Sequence, residues 1–218
     1  MGTSPPQLRR VPGLRFFKLL GSGGTAGFGL WPNLDRYGLL AVWDSAAAAA
    51  TFESGALWAD YQRRSREQWH LELQPLRAHG FWDGTNPFAA QLAEVGANPR
   101  PYDGPVAVLT RAAIHWLKTP RFWRYAGPGA EPLRALAEAP GMRVALGLGE
   151  LPVVRQATFS VWESEQAVQD YAYRDARHRE VIQLTRREHW YSEELFARFR
   201  VLASHGTLDG RDPMSREP

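Results

Sequence analysis

The sequence predicts an α+β fold made of two tandem ferredoxin-like halves, the first of them incomplete at its N-terminus. The leading observation is an internal repeat of four blocks in the same order. Pro12-Gly13-Leu14-Arg15 recurs as Pro140-Gly141-Met142-Arg143, LLAVWDS (39–45) as TFSVWES (158–164), SREQW (65–69) as RREHW (186–190), and AHGFWDG (78–84) as SHGTLDG (204–210). The second observation is what precedes the later copy: the β-branched run GPVAVLTRAAI (104–114), then helical composition from Phe122 to Ala139. The order there is β-α-β-β-α-β. The third is the segment between copies, where Pro87, Pro99, Pro101 and Pro105 with several glycines mark a boundary. The expected domains are a partial half over 13–84, a linker over 85–103 and a complete half over 104–210.

Taken in order, residues 1–12 are polar and proline-bearing and read as a mobile lead-in. Each copy then gives strand, hairpin, strand, helix, strand. Gly21, Gly23 and Gly27 imitate a dinucleotide-binding loop, but such a loop needs a helix directly after it to aim amides at phosphate. Phe28-Gly29-Leu30-Trp31-Pro32 follows instead, so the glycines are assigned to a hairpin turn. The first copy has only the lead-in where the opening strand and helix belong. The first strand of a ferredoxin-like sheet lies inside the sheet, and its loss exposes unpaired backbone. The chain is therefore expected to be a truncated or destabilised form.

The stretch most informative about function runs from Trp162 to Trp190. Ser164 is placed to cap a helix whose start carries Glu163, Glu165 and Asp170 and whose end carries Arg186, Arg187 and His189, the order the helix dipole favours. Val168, Tyr171, His178, Val181 and Ile182 recur at three- and four-residue spacing, which puts an imidazole on the inward stripe. Counting back from the matched tryptophans, Leu57 occupies the position of His178 in the first copy. Packing alone does not demand a histidine there. The competing explanation is a core histidine with a local hydrogen-bond partner.

The chain has 218 residues, no cysteine, nine tryptophans and a formal charge of +3 from 26 basic and 23 acidic residues. Without cysteine, disulfides, thiolate metal sites and cysteine nucleophiles are excluded. Basic residues are interleaved with acidic ones, so nucleic acid is not expected as a partner. Apolar runs fall short of the ~18–20 residues of a membrane span, and no secretory signal opens the chain; the expectation is a cytoplasmic, non-secreted protein. The tryptophans suit either a core or a pocket for a large flat or apolar ligand. His178 and His189, 11 positions apart, sit roughly 16 Å apart along a continuous helix, too far for one ion. His79 and His205 precede glycine at matched positions and are expected to serve the turn; His70 and His115 show no partner in the sequence. Glu193 and Glu194 read as solvated, and no Gly-x-Ser-x-Gly elbow is present.

FKLLGSG (17–23), GLLAVW (38–43), RQATFSVWES (155–164), HREVI (178–182), YSEELFARFRVL (191–202) and GTLDGRDP (206–213) together resemble the spheroidene monooxygenase family of carotenoid ketolases. The resemblance implies a dimeric α+β barrel-like fold in which two ferredoxin-like units join their sheets. It implies haem b, with His178 as the axial ligand to iron and Tyr171 and Ile182 as candidate pocket walls. It further implies an external electron donor such as a ferredoxin, O2, and an acyclic carotenoid taken to a keto product through two oxidations at one allylic carbon. Substrate access would bring peripheral contact with a membrane. Other haem chemistry on the same fold, and a non-catalytic binder of haem or an apolar ligand, are the alternatives.

Overall fold

The computed structural model describes residues 4–23, 32–96, 102–120, 139–151, 154–174, 187–188 and 190–215. Seven strands form one antiparallel sheet: β1 (Leu14–Gly23), β2 (Pro32–Trp43), β3 (Trp69–Gly80), β4 (Val106–Ile114), β5 (Met142–Leu151), β6 (Arg155–Trp162) and β7 (Tyr191–Gly206). Their order is β2-β1-β5-β6-β4-β7-β3. Among the described residues five α-helices accompany them, α1 (Ser4–Leu8), α2 (Ala46–Glu53), α3 (Ala56–Arg64), α4 (Ala89–Val95) and α5 (Glu165–Arg174), with one 3-10 turn at Trp116–Lys118.

Alternation along the strands divides the sheet into two faces. On β4, Ala107 and Leu109 point to one side and Val106 and Val108 to the other, all buried. The first side is the main core, to which all seven strands contribute, among them Val42, Leu20, Leu73, Leu109, Leu148, Val161 and Phe199. The sheet curls around it, and Arg36 of β2 pairs with Asp209 just beyond β7. Phe88 and Leu92, at the start of and within α4, pack into the same core, and Gln91 donates to the Trp43 carbonyl at 2.9 Å. The stretch between the two copies is therefore more than a connector. The lead-in likewise has structure: α1 buries Leu8 to 1% exposure.

Two joints in the chain share the same geometry. Gly13 and Gly141 both take positive φ, +74° and +76°, a region that favours glycine. Their carbonyls accept from Asp44 N and Glu163 N, each at 2.8 Å. Ser45 and Ser164 then cap α2 and α5, accepting from Ala48 N and Ala167 N at 3.2 Å. A Cβ on Gly13 would lie 2.5 Å from the Ala48 Cβ, and one on Gly141 would lie 2.8 Å from the Ala167 Cβ. Ser164 thus caps the helix as the sequence predicts.

The pairing of β3 with β7 refines the sequence alignment. Trp69 faces Gly206 and Gly80 faces Leu195, so Trp69 corresponds to Leu195 and Gly80 to Gly206, a shift of 126 in both cases. The match of Trp69 with Trp190 uses a shift of 121 and does not fall on equivalent strand positions. Trp190 precedes a strand that extends further than β3 at its start. The edge strands are β2 and β3. Pro75 in β3 is tolerated there because an edge position leaves one side without a ladder, and a register shift accompanies it.

Candidate functional site

On the outer face of the sheet, α5 lies over β4, β5 and β6. Val168 packs with Val106, Val108 and Trp162, joined by Met142, Ala145, Ala167, Tyr171 and Phe196. Tyr171 stacks at a tilt on Trp162, ring centroids 5.3 Å apart, and the Trp162 indole donates to Ser160 Oγ at 2.9 Å. The helix is fixed at its first turn by Arg198 of β7, whose guanidinium meets Glu165 at 2.8 Å. One of the three predicted pocket residues, Tyr171, is therefore placed against an apolar, aromatic layer. His178 and Ile182 lie outside the described residues, as do His189, Gly27 and all but Ala139 of the stretch from Phe122 to Ala139 predicted as helical.

Three of the histidines have partners across the strands. His79 stacks on Phe196 at 5.2 Å, and His205 lies against His70 at 5.8 Å. His70 also meets Trp58 edge-on at 5.4 Å and approaches Glu53 at 3.3 Å, so it has the partners that sequence alone did not show. His205 approaches Glu72 at 3.5 Å. His115 stands exposed just past β4. Among the described residues no group of three His, Asp or Glu side chains could hold a metal ion.

A second chemical feature was not anticipated. At one end of the main core Arg111 is 1% exposed, on the same face of β4 as Ala107 and Leu109. It pairs with Glu193 and reaches Glu150 at 3.4 Å and Asp83 at 4.0 Å. Lys18 pairs with Asp83 and with Glu150, the latter at 2.8 Å, and Arg155 lies 3.7 Å from Asp83. Trp82, fully buried, donates its indole N–H to Glu150 at 3.0 Å and lies under the Arg111 guanidinium, 5.4 Å from ring centre. Glu193 also accepts from Asp83 N at 3.1 Å and Gly84 N at 2.7 Å. Its solvated assignment is corrected: its partners come from elements distant in sequence.

The Lys18 ammonium holds the Asp83 carboxyl below its ordinary range, with Arg155 and Arg111 adding to this against a cost of burial. For Glu193 burial alone would raise the value, but the Gly84 and Asp83 amides and Arg111 outweigh it and the group is lowered. Three cations thus face three carboxylates. A network balanced in this way secures the 81–85 turn over the end of the core. The signal in the sequence was a single arginine at an inward position of an otherwise apolar strand. Glu67 performs the capping of Glu193 on the matched turn, accepting from Gly210 N at 2.6 Å and Asp209 N at 3.0 Å.

The fold is α+β with a curled antiparallel sheet. Among solved structures it is similar to a putative monooxygenase from Fusobacterium nucleatum, at TM-score 0.45 and 10% identity over 81% of this chain and 73% of that one. It is also similar to a heme-degrading enzyme from Listeria monocytogenes, at TM-score 0.31 and 14% identity over 83% of each chain. No protein-family model matches the chain. In sequence it is 44% identical to the spheroidene monooxygenase of Rubrivivax gelatinosus, covering 92% of this chain and 73% of that protein. With the spheroidene monooxygenase of Rhodobacter capsulatus it shares 37%, covering 95% and 84%. With that of Cereibacter sphaeroides it shares 33%, covering 94% and 61%. The protein is an oxidoreductase of the monooxygenase class. The chain belongs to the spheroidene monooxygenase family.

Proposed function

We propose that this chain is a haem-dependent monooxygenase that oxidises an acyclic carotenoid of the spheroidene type to a keto-carotenoid. The observation that carries the proposal is the identity of 44% and 37% to relatives named for that substrate, extending over nearly the whole chain. The matched Gly13 and Gly141 joints support two ferredoxin-like units over 13–84 and 104–210, their sheets joined in the manner of a dimeric α+β barrel. A ferredoxin or similar donor delivers the electrons.

The residues present fit a haem iron held by one imidazole. Cysteine is absent, and three of the four described histidines are engaged with neighbouring side chains. His178 is the proposed ligand; it would bind as a neutral imidazole, and its second ring nitrogen would donate to a carboxylate or carbonyl to fix the tautomer. A haem bound there supplies activation of O2. Tyr171 and Ile182 would line the apolar wall of the pocket and exclude water from it. Oxidation of an allylic carbon to an alcohol, and again to a geminal diol that loses water, gives the ketone. Purified protein supplied with haem, a reducing system and detergent-dispersed spheroidene should yield a keto product by mass spectrometry. Haem loading without any product would refute the substrate.

A further inference from the structure

We infer that Arg198 is a positioning residue: through Glu165 it sets how α5 sits on the sheet, and so where Tyr171 stands in the proposed pocket. The inference rests on the haem proposal for its purpose, because Tyr171 is a wall only in that reading. Arg198 lies on the outer face of β7 with its side chain 14% exposed, and its guanidinium meets the Glu165 carboxylate at 2.8 Å.

The position does not favour arginine for packing. Arg198 pairs with Val108 on one side and faces Arg77 on the other, and like charges directly opposite on neighbouring strands destabilise a sheet. Val108 belongs to the layer under α5, where an aliphatic neighbour would bury without the cost of a charge. Glu165 by itself needs no cation, since an acid in the first turn is already favoured by the helix dipole. What the pair adds is direction. A helix of 10 residues is too short to be stable alone. The apolar contacts of Val168 and Tyr171 hold it to the sheet without specifying an angle, whereas a charge-assisted hydrogen bond fixes one geometry.

The first half serves as an internal control. The ladder between β3 and β7 is symmetric about Gln74 and Arg200, and the shift of 126 carries Arg198 onto Glu72. The matched caps carry Glu165 onto Ala46 and Tyr171 onto Phe52. Phe52 stacks on Trp43 at 5.1 Å and a tilt of 41°, as Tyr171 does on Trp162 at 5.3 Å and 38°. That aromatic pair forms without an ion pair, because Ala46 is uncharged and Glu72 approaches His205 instead. The fold therefore does not require Arg198 to meet Glu165. The pair stands in the half to which the haem is assigned.

The test reads position and consequence separately. Protein carrying 5-fluorotryptophan gives a fluorine resonance for Trp162, assigned by its loss in Trp162→Phe, and haem titration followed at the Soret band gives affinity. Arg198→Leu and Glu165→Gln should each move the Trp162 resonance and weaken haem binding about tenfold, and the double variant should lose no more than either. Arg198→Lys should stay near wild type in both, since the contact uses one nitrogen. Glu67→Gln, which loosens the matched turn at Asp209 and Gly210, should lower the urea midpoint and leave resonance and affinity unchanged, so that lost stability alone does not reproduce the effect. An unmoved Trp162 resonance in Arg198→Leu, or unchanged haem affinity where wild type binds, overturns the inference. So do additive losses in the double variant, or an Arg198→Lys protein that behaves like Arg198→Leu. If wild type binds no haem while the resonance moves in Arg198→Leu, the haem proposal is refuted and the seating of α5 by Arg198 stands.

Discussion

Replacing Glu193 with alanine should destabilise the protein by about 3 kcal/mol, and the figure follows from its partners. Arg111 has a side chain only 2% exposed and Glu193 one that is 22% exposed. Removing one partner of a buried pair costs ~3–5 kcal/mol because the other charge is left behind. Here Glu150, 3.4 Å away, remains to compensate part of it, and the residual exposure of Glu193 screens the rest, so the lower end applies. Two amide bonds, from Gly84 N and Asp83 N, are lost as well. Glu193→Gln keeps an acceptor for these amides and should cost about half as much. The assay is urea unfolding followed by circular dichroism, with a lower midpoint and an unchanged slope. The acid limb gives an independent check. Against the cost of burial, the Gly84 and Asp83 amides and Arg111 hold the Glu193 carboxyl below its ordinary range in the folded protein, so its contribution is complete above the unfolded value and is lost as pH falls through the folded one. The variants should therefore show a shallower loss of stability below about pH 4.5 than wild type. A Glu193→Ala protein within 0.5 kcal/mol of wild type, about the size of an ordinary surface change, would refute the view that this network secures the end of the core.

Other consequences can be measured alongside. Gly141→Ala should lower stability by about 2 kcal/mol or more, because positive φ and a 2.8 Å approach to the Ala167 Cβ act together; Gly84→Ala, also at positive φ but with open space around its Cβ, should cost only about 1 kcal/mol by the same unfolding assay. Tyr102→Phe should cost about 1 kcal/mol through loss of the hydroxyl bond to the Val201 carbonyl at 2.8 Å. Tyr171→Ala should lose about 3 kcal/mol of packing against Trp162 and its layer; a loss of about 0.5 kcal/mol or less by the same unfolding assay, the size of an ordinary surface change, would contradict this.

The parts of the fold legible in sequence were those made by local chemistry. Gly141, Trp162 and Ser164 form a joint whose members lie within one strand hairpin and one cap, and the same residue types recur at Gly13, Trp43 and Ser45. What long-range pairing decides was not legible. Glu193 looks like one of two surface acids until β4 and the turn after β3 bring Arg111 and the Gly84 amide to it. Arg111 disappears into an apolar run because hydrophobic averages hide one charge. The Trp69 and Trp190 match followed local composition, while β3·β7 register sets the true equivalence. Phe88 is buried by the curl of the sheet, which a proline- and glycine-rich segment does not announce. The candidate site was legible as a helix stripe and a family resemblance, and of its members the structure describes Tyr171.

The measurement that bears most directly on the central claim is the absorption spectrum of purified protein reconstituted with haem, compared between wild type, His178→Ala and His189→Ala. The account predicts a Soret band at one haem per chain for wild type, its loss or a shift to a weakly bound form in His178→Ala, and a wild-type spectrum in His189→Ala. Full haem binding by a folded His178→Ala protein, or no haem binding by wild type, would contradict it.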